Sequence, residues 1–376
     1  MAPDRPFGVV PRPAAQRGFP PSRTERMATE SLASQPDADG GLRRLIDRAF
    51  AGDRMSLARA ISLVENEAPE ARAVLDAAFP RTGGGVRVGI TGPPGAGKST
   101  LVSQLARHYR GRGERVAVVA VDPTSPFSGG ALLGDRVRMA ELAGDEGLFI
   151  RSMASRGSLG GLAVTTTEVC DLLEAAGFTR VLVETVGVGQ SELEVAEAVD
   201  SVLVVLVPES GDGVQAMKAG LMEIGDLFVL NKADREGAER AAQELRAVLG
   251  LKQPVPGSWT PPVLLTVARN GEGVPALAEQ VERHLEHLRT QQLLAARRRL
   301  RLHARVSELV YQRATRQLRA RVDAARWEAI LTALEERRLS PHQAAARLWN
   351  EAWPDEAAAA PEPAPGTCPE EEGTRS

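Results

Sequence analysis

Short apolar runs, rich in β-branched residues, alternate with amphipathic helical patterns through the middle of the chain. Six such runs occupy residues 86–91, 115–122, 180–185, 201–208, 227–232 and 262–268. Nearly continuous hydrophobic strands separated by helices are typical of a parallel sheet that helices cover on both faces. The pattern therefore predicts a three-layer α/β fold with a mostly parallel sheet, in a domain that spans residues 81–273.

Helical periodicity precedes this domain. Apolar residues recur at helical spacing from Leu42 to Phe79, which predicts an N-terminal helical segment over residues 42–80. Residues 1–41 carry many prolines, which oppose the amphipathic helix of a mitochondrial presequence. We expect these residues to form a disordered leader, with Met27 as a candidate start.

The C-terminal part of the chain also has a helical pattern. Apolar residues keep helical spacing from about Val274 onward, and Ser340 followed by Pro341 is typical of a helix N-terminus. This pattern predicts a C-terminal helical arm over residues 274–353. The tail over residues 354–376 is rich in Ala, Pro and Glu and is predicted to be disordered.

Charge is spread unevenly along the 376 residues. The formal net charge is −3, which gives no overall attraction to nucleic acid or to an acidic membrane surface. Between residues 289 and 326, however, the chain carries eleven arginines but only two acidic residues, Glu308 and Asp323. Two explanations stay open for this basic stretch: a solvated helix face, or a surface that binds an acidic protein or a partner subunit. Nucleic acid is a weaker explanation, because Tyr311 is the single aromatic residue within this stretch.

The two cysteines, Cys170 and Cys368, form no pattern of paired disulfides, which fits a reducing compartment. Cys170 lies in an apolar helical pattern and is interpreted as a structural thiol. No apolar run approaches the roughly 20 residues that a membrane-spanning helix needs. We therefore predict a cytoplasmic protein that binds neither a membrane nor nucleic acid.

The stretch "VGITGPPGAGKSTL" at residues 88–101 contains the strongest signal for chemistry. It fits the pattern G-x-x-x-x-G-K-[ST], directly after a predicted strand and at the start of a predicted helix. The glycines let backbone N–H groups point at phosphates, Lys98 reaches the β and γ oxygens, and the Ser99 hydroxyl binds Mg²⁺. The predicted nucleotide-binding residues of this loop are Gly92, Pro93, Pro94, Gly95, Ala96, Gly97, Lys98, Ser99 and Thr100.

Two carboxylates lie at the ends of predicted strands. Asp122 ends the run at 115–122, and Glu184 lies near the end of the run at 180–185. The carboxyl ends of parallel strands meet at the ligand-binding edge of the sheet, and a buried carboxylate without a partner is costly. We therefore predict functional roles for both carboxylates, with the backbone amide of Gly187 at the γ-phosphate.

The sequence "NKAD" at residues 231–234 ends another apolar run. An aspartate at this place can accept hydrogen bonds from the ring N–H and the exocyclic amine of guanine, whereas adenine offers no such pair of donors. Asn231, Lys232 and Asp234 are therefore predicted to bind the base. GTP is the predicted substrate.

Five motifs follow one another along the chain: GPPGAGKSTL, VDPTSPFSGGALLGDRVRM, ETVGVGQSE, VPESGDGVQAMKAGLMEIGD and NKAD. In this order they resemble the MeaB/ArgK family of GTPases, and the likeness runs from about Leu42 to Trp353. The resemblance implies that Asp122, Asp135 and Glu184 surround Mg²⁺ and the attacking water.

The resemblance also implies switch loops at residues 123–138 and 185–191 and a further switch in "ESGDGVQAMK". By the same resemblance, this further switch contacts an acyl-CoA mutase that the family serves and can bring Lys218 toward the nucleotide as a catalytic group, with a solvated helix lysine as the alternative. Many GTPases have a Ser-Ala loop at the base, where this chain reads "TVA". Because that loop uses backbone N–H groups, Val267 and Ala268 are predicted to contact the base.

The function that the resemblance implies is a chaperone for an adenosylcobalamin-dependent acyl-CoA mutase, with methylmalonyl-CoA mutase as the first candidate. GTP binding and hydrolysis gate cofactor loading and protect or reactivate the mutase in this family. The family acts as a homodimer, built largely through the helical arm. Ethylmalonyl- and isobutyryl-CoA mutases also stay open as clients, because they would have similar requirements for cofactor loading and protection.

Three other functions are weaker explanations of the same sequence. Nickel-delivery GTPases use histidine-rich or paired-cysteine sites, whereas His284 and His287 are expected to be a solvated pair without further ligands. A transport-linked ATPase or kinase conflicts with the guanine-selective NKAD and with the lack of a protein-kinase catalytic-loop pattern. A non-catalytic scaffold would show no hydrolysis even with the mutase present.

Overall fold

The computed structural model describes residues 38–122, 144–154, 161–185, 196–208, 219–251 and 257–354. The predicted tail and most of the predicted leader lie outside these residues, although a helix begins at Ala38, inside the predicted leader. The described residues form a seven-stranded sheet with helices on both faces, which confirms the predicted α/β fold.

The sheet is parallel throughout its described pairings. Its strands are β1 (Val86–Thr91), β2 (Val116–Asp122), β3 (Leu148–Ala154), β4 (Arg180–Thr185), β5 (Ser201–Leu206), β6 (Leu227–Asn231) and β7 (Val263–Thr266). They lie side by side in the order β3-β2-β4-β1-β5-β6-β7. Every residue of β1, β4, β5 and β6 is buried, as expected for strands between two layers of helices.

The helices occupy both faces of the sheet and the C-terminal arm. They are α1 (Ala38–Phe50), α2 (Arg54–Glu65), α3 (Ala71–Ala78), α4 (Lys98–Gly111), α5 (Gly161–Ala175), α6 (Ala219–Ile224), α7 (Ala238–Gly250), α8 (Val274–Thr290), α9 (Leu293–Arg321), α10 (Ala324–Glu335) and α11 (Pro341–Ala352). Residues 51–53 separate α1 from α2, and the Asp53 side chain caps α2 by accepting from the Ser56 amide at 3.1 Å.

Two hydrophobic cores lie on opposite faces of the sheet. One contains Val119 and Val121 of β2 together with helices α2, α3, α5 and α7. The other contains Val116 and Val118 of the same strand together with helices α4 and α8. Because alternate residues of a strand point to opposite faces, one apolar strand supplies both cores. Cys170 is buried in the first core, as predicted.

Strand β3 is the one strand of the described sheet that the apolar runs do not predict. Its sequence LFIRSMA contains Arg151 and Ser152, which interrupt the hydrophobic pattern. β3 lies at the edge of the sheet, where polar side chains are tolerated better than at a central position. The Arg151 Nε donates to Glu65 of α2 at 2.9 Å, so this polar position contacts the N-terminal helices.

The C-terminal arm is helical, as its pattern predicts. Helix α9 has 29 residues, and none of them is buried. Helices α10 and α11 share a small core of their own that contains Ile330 and Leu348. Ser340 and Gln343 form a capping box at the start of α11, which confirms the predicted helix N-terminus. No helix among the described residues is long and apolar enough to cross a membrane.

The basic stretch of the arm binds acidic residues of its own chain. Arg298 and Arg301 donate to the buried Asp200 side chain at 2.8 Å and 3.0 Å, and Arg297 donates to Asp226 at 3.0 Å. Arg305 further along α9 binds Asp171 of α5. For these four arginines, neither a solvated face nor a partner subunit is the explanation, because their partners lie at the start of β5 and β6 and on α5.

The expected solvated pair of histidines is wrong for His284. The His284 ring is fully buried, its Nδ1 lies 2.9 Å from Ser201 Oγ, and its Nε2 lies 3.3 Å from Asp226 Oδ1. Trp259 packs against it, with ring centroids 4.9 Å apart. Spacing along a helix cannot show which strand the helix covers, and α8 covers the start of β5 and β6. Among the described residues there is no cluster of three or more side chains suited to hold a metal ion.

Candidate nucleotide site

The predicted phosphate loop connects β1 to α4 at the carboxyl edge of the sheet. Gly92 has a φ of 136° and Gly97 a φ of 90°, and both lie where a Cβ atom would collide with a neighbour. At Gly92 that neighbour is the carbonyl oxygen of Val205 in β5, and at Gly97 it is the side-chain amide of Asn231. Both glycines are therefore required by the close approach of the loop to two strands.

Lys98 begins helix α4 and is buried inside the loop. Its Nζ donates to the carbonyl oxygens of Gly92 at 2.9 Å and Pro93 at 3.0 Å. A cation at a helix N-terminus beside glycine-rich backbone is an arrangement that suits phosphate oxygens. The structure thus places the predicted lysine at the centre of the loop.

Ser99 and Glu184 meet at the next position of the site. The Ser99 hydroxyl donates to Glu184 Oε1 at 2.6 Å, and only 5% of Glu184 is exposed. A hydroxyl and a carboxylate are hard oxygen donors, which fit Mg²⁺. Asp122 ends β2, which lies directly beside β4. The other predicted residues of this part, Asp135, Gly187 and Lys218, lie outside the described residues.

Asn231 connects the phosphate loop to the loop that follows β7. Its Nδ2 donates to the Ala96 carbonyl at 2.8 Å. Its Oδ1 accepts from the Thr266 hydroxyl at 3.1 Å and from the Ala268 amide at 3.0 Å. Only 2% of Asn231 is exposed, so the side chain holds three segments together from inside the site. The role of Thr266 is not apparent from the sequence, because a threonine that ends a strand gives no distinctive signal.

A cavity of about 200 Å³ lies where the base is expected to bind. It is lined by Gly97, Thr100, Asn231, Lys232, Asp234, Arg235, Val267, Ala268 and Arg269. The Ala233 amide donates to the Thr266 carbonyl at 3.0 Å, and Lys232 has the unusual φ of 58°. This tight turn places Asp234 at the cavity, and a non-glycine residue with positive φ is uncommon enough to indicate a functional constraint.

The two predicted backbone donors at the cavity already have acceptors within the chain. The Val267 amide donates to the Glu272 carbonyl at 3.0 Å, and the Ala268 amide donates to Asn231. Arg269, which no sequence pattern indicates, lies 3.7 Å from Asp234 at the cavity. This pair is exposed, so its electrostatic contribution is small.

A larger cavity of about 690 Å³ lies away from this site, between α9, α5 and the start of β5. Its basic residues include Arg297 and Arg301, which bind Asp226 and Asp200. Size alone does not identify the nucleotide site. The smaller cavity adjoins the phosphate loop, and its lining includes these residues of the predicted site: Gly97, Thr100, Asn231, Lys232, Asp234, Val267 and Ala268.

Comparison with known proteins agrees with this geometry. A protein of Pyrococcus abyssi is 44% identical over 309 residues, which cover 82% of this chain and 95% of the relative. The GTPase ArgK of Escherichia coli is 42% identical over 236 residues, which cover 61% of this chain and 71% of ArgK. A crystal structure of an LAO/AO transport system kinase has a TM-score of 0.64 at 31% identity and covers 84% of this chain and 99% of that one.

A phosphate loop on the central strand of a parallel sheet, beside a guanine-selective motif, defines the class of the P-loop GTPases, which bind and hydrolyse GTP. The match to a family model is more specific. Residues 57–323 match the model of the methylmalonyl-CoA mutase-associated GTPase MeaB, and the chain therefore belongs to the MeaB family.

Proposed function

We propose that this GTPase is a cytoplasmic chaperone for an adenosylcobalamin-dependent acyl-CoA mutase, with methylmalonyl-CoA mutase as the first client to test. GTP binding and hydrolysis would gate cofactor loading and protect or reactivate the mutase. The name of the family, which associates it with methylmalonyl-CoA mutase, supports this client. Because the γ-phosphate can hold switch segments in one arrangement, its loss changes a surface to which a client can bind.

The observation that carries the GTPase chemistry is the Ser99–Glu184 hydrogen bond of 2.6 Å beside the phosphate loop. We assign Ser99, Asp122, Asp135 and Glu184 to a Mg²⁺ site, where the ion would neutralise charge on the β and γ phosphate oxygens. Lys98 binds the same phosphate oxygens from inside the loop.

The remaining assignments concern the base and the γ-phosphate. Asn231 holds the base loop, and Lys232, Asp234, Val267 and Ala268, which line the cavity, are assigned to guanine. Gly187 and Lys218 are assigned to the γ-phosphate side from the sequence. Family resemblance alone supports these last two residues.

The arm is proposed to form a homodimer. Leu302, Val306 and Val310 recur every four residues on α9 and are 43%, 59% and 61% exposed. An exposed apolar row at helical spacing on a long helix fits association with a second copy. Sedimentation of the full chain over a range of concentrations tests this proposal, and a monomer at all concentrations would contradict it.

The test of the chaperone function is GTP turnover by the full chain with and without each candidate mutase. A true client is expected to raise turnover by at least about tenfold, given that partners of GTPases supply roughly 10³ to 10⁵. The matched control is Lys98→Ala with the same mutase, which should show no stimulated turnover. If no acyl-CoA mutase changes turnover or binds the GTP-loaded chain, the chaperone proposal fails. The assignment of the chain as a GTPase does not depend on that result.

A transport-linked ATPase or kinase is the second candidate, because one matching solved structure is described as such a kinase. Base preference separates the two functions. We expect GTP to be preferred over ATP, and Asp234→Asn to shift preference from GTP toward xanthosine triphosphate by about a hundredfold, since the amide can donate to a 2-oxo group. Competition titrations with the three nucleotides measure this shift. Unchanged selectivity would remove the base-reading role of Asp234.

A further inference from the structure

Thr91 and Thr185 form a buried hydroxyl pair beneath the nucleotide site. They are the last residues of β1 and β4, both are fully buried, and Thr185 Oγ1 donates to Thr91 Oγ1 at 3.1 Å. We infer that this pair is a positioning device for GTP hydrolysis, which holds Glu184 in a fixed place relative to the phosphate loop. The inference rests on the hydrolysis of GTP and does not depend on the identity of the client.

The pair lies where backbone pairing between the two strands ends. The register of β1 and β4 runs from Val86 opposite Arg180 to Ile90 opposite Glu184. Thr91 then pairs with Val204 of β5 on its other side. The side-chain hydrogen bond therefore continues the contact between β1 and β4 by one residue, at the point where β1 turns into the loop.

Three hydrogen bonds and three peptide bonds close a ring around the site. Gly92, bonded to Thr91, accepts from Lys98 Nζ at 2.9 Å. Ser99, bonded to Lys98, donates to Glu184 at 2.6 Å. Glu184 is bonded to Thr185, and the hydroxyl pair completes the ring. Any shift of β4 against β1 would move the Glu184 carboxylate relative to Ser99 and Lys98, which are the groups assigned to metal and phosphate.

Packing alone does not explain two threonines at these positions. Valine has the same branched shape and would fill the same buried space, and Val181 and Val183, which share the face of Thr185 on β4, are apolar core residues. Replacing both partners of a buried hydrogen bond by apolar groups of the same shape can be nearly neutral for stability, whereas removing only one leaves the other unsatisfied. This difference separates a positioning role from a structural one.

The experiment compares Thr91→Val, Thr185→Val and the double variant in single-turnover GTP hydrolysis, GDP affinity and thermal unfolding of the full chain. Each single variant is expected to hydrolyse GTP about tenfold more slowly, with a change in GDP affinity below about twofold, because one hydrogen bond is lost at the reacting side. The double variant should regain thermal stability, because no buried hydroxyl is left without a partner. Its GTP hydrolysis should stay about tenfold slower than that of the wild type, because the single and double variants all lack the same hydrogen bond.

Two further variants complete the design. Thr185→Ser keeps the hydroxyl and is expected to retain the wild-type rate. Thr166→Val is the matched control, because Thr166 is also buried, lies on α5, and its hydroxyl has no hydrogen-bond partner among the described residues. It should leave hydrolysis unchanged.

Recovery of the rate together with stability in the double variant would overturn the inference, as would a wild-type rate in Thr185→Val. If a single valine variant fails to fold, the double variant and Thr185→Ser still decide the question. In that case a double variant with the wild-type rate, or a slow Thr185→Ser, overturns it.

Discussion

The two edges of the sheet use buried carboxylates in opposite ways. At the amino edge, Asp200 accepts hydrogen bonds from the guanidinium groups of Arg298 and Arg301. At the carboxyl edge, Glu184 accepts from the neutral hydroxyl of Ser99. A carboxylate between two arginines is neutralised within the fold, whereas one that binds a hydroxyl suits a cation that arrives with a nucleotide. Burial of a carboxylate therefore does not by itself indicate a functional role; the kind of hydrogen-bond donor that it contacts separates the two cases.

The electrostatics of Asp200 follow from this pairing. Burial by itself raises the pKa of the Asp200 carboxyl, but the hydrogen bond from Arg298 and the positive charge of Arg301 lower it by more, so the pKa is below its usual value. The carboxyl therefore stays ionised in the folded protein. Its ion pairs join the arm to the start of β5.

The largest expected effect is a loss of nucleotide binding at the carboxyl edge, with the amino edge unchanged. Lys98→Ala removes the cation inside the phosphate loop and should weaken GTP binding by about a thousandfold, given the strength of charge-assisted hydrogen bonds. The free energy of unfolding without nucleotide should change little. Calorimetric titration measures the affinity, and Arg299→Ala on the exposed surface of α9 is the control for loss of one positive charge. Retained micromolar affinity would contradict the assignment of the loop.

Asp200→Asn is expected to remove the ion pairs at the amino edge and lower the free energy of unfolding, with the nucleotide site unchanged. The amide leaves Arg298 and Arg301 without a neutralising charge, and breaking a buried ion pair on one side costs about 3 kcal/mol or more. Denaturant unfolding measures this loss, while GDP affinity should stay within about twofold of the wild type. Glu286→Gln removes the exposed pair with Arg289 and should cost below about 0.5 kcal/mol. A stable Asp200→Asn would show that the arginines contribute little to stability.

Glu184→Gln is the matched change at the other edge. The amide keeps the shape of the side chain and an oxygen for Ser99, but it removes the charge assigned to the metal. Hydrolysis should slow by about a hundredfold, as when one electrostatic group of an active site is lost. The free energy of unfolding should change by less than about 1 kcal/mol. A turnover number equal to that of the wild type would make Glu184 a structural residue like Asp200.

The smallest expected effect is a dependence on pH. Because the folded pKa of Asp200 is lowered, its stabilising contribution is complete above the unfolded value of 3.8 and is lost as pH falls through the folded pKa. The difference in unfolding free energy between wild type and Asp200→Asn should therefore be large at about pH 6 and shrink at about pH 3. Denaturant melts of both proteins at the two pH values provide the measurement. A difference that grows on acidification would contradict the sign of the shift.

Much of the fold can be predicted because buried strands and amphipathic helices leave periodic patterns. Six of the seven strands coincide with apolar runs, and the edge strand β3 is missed because Arg151 and Ser152 break its run. The phosphate loop is predictable because its chemistry needs particular residues at fixed spacing within one turn. Thr266 and Arg269 at the base cavity escape prediction, since isolated residues of these types occur on many surfaces.

The amino-acid sequence by itself determined the parallel α/β sheet and the phosphate loop, because each depends on residues that are close along the chain. Only the tertiary structure decided which distant residues meet. It paired Asp200 with the arginines of α9, buried His284 against Asp226, and joined Thr91 to Thr185 across two strands. Local spacing carries no information on contacts between residues that are far apart along the chain, since those depend on how the strands and helices pack.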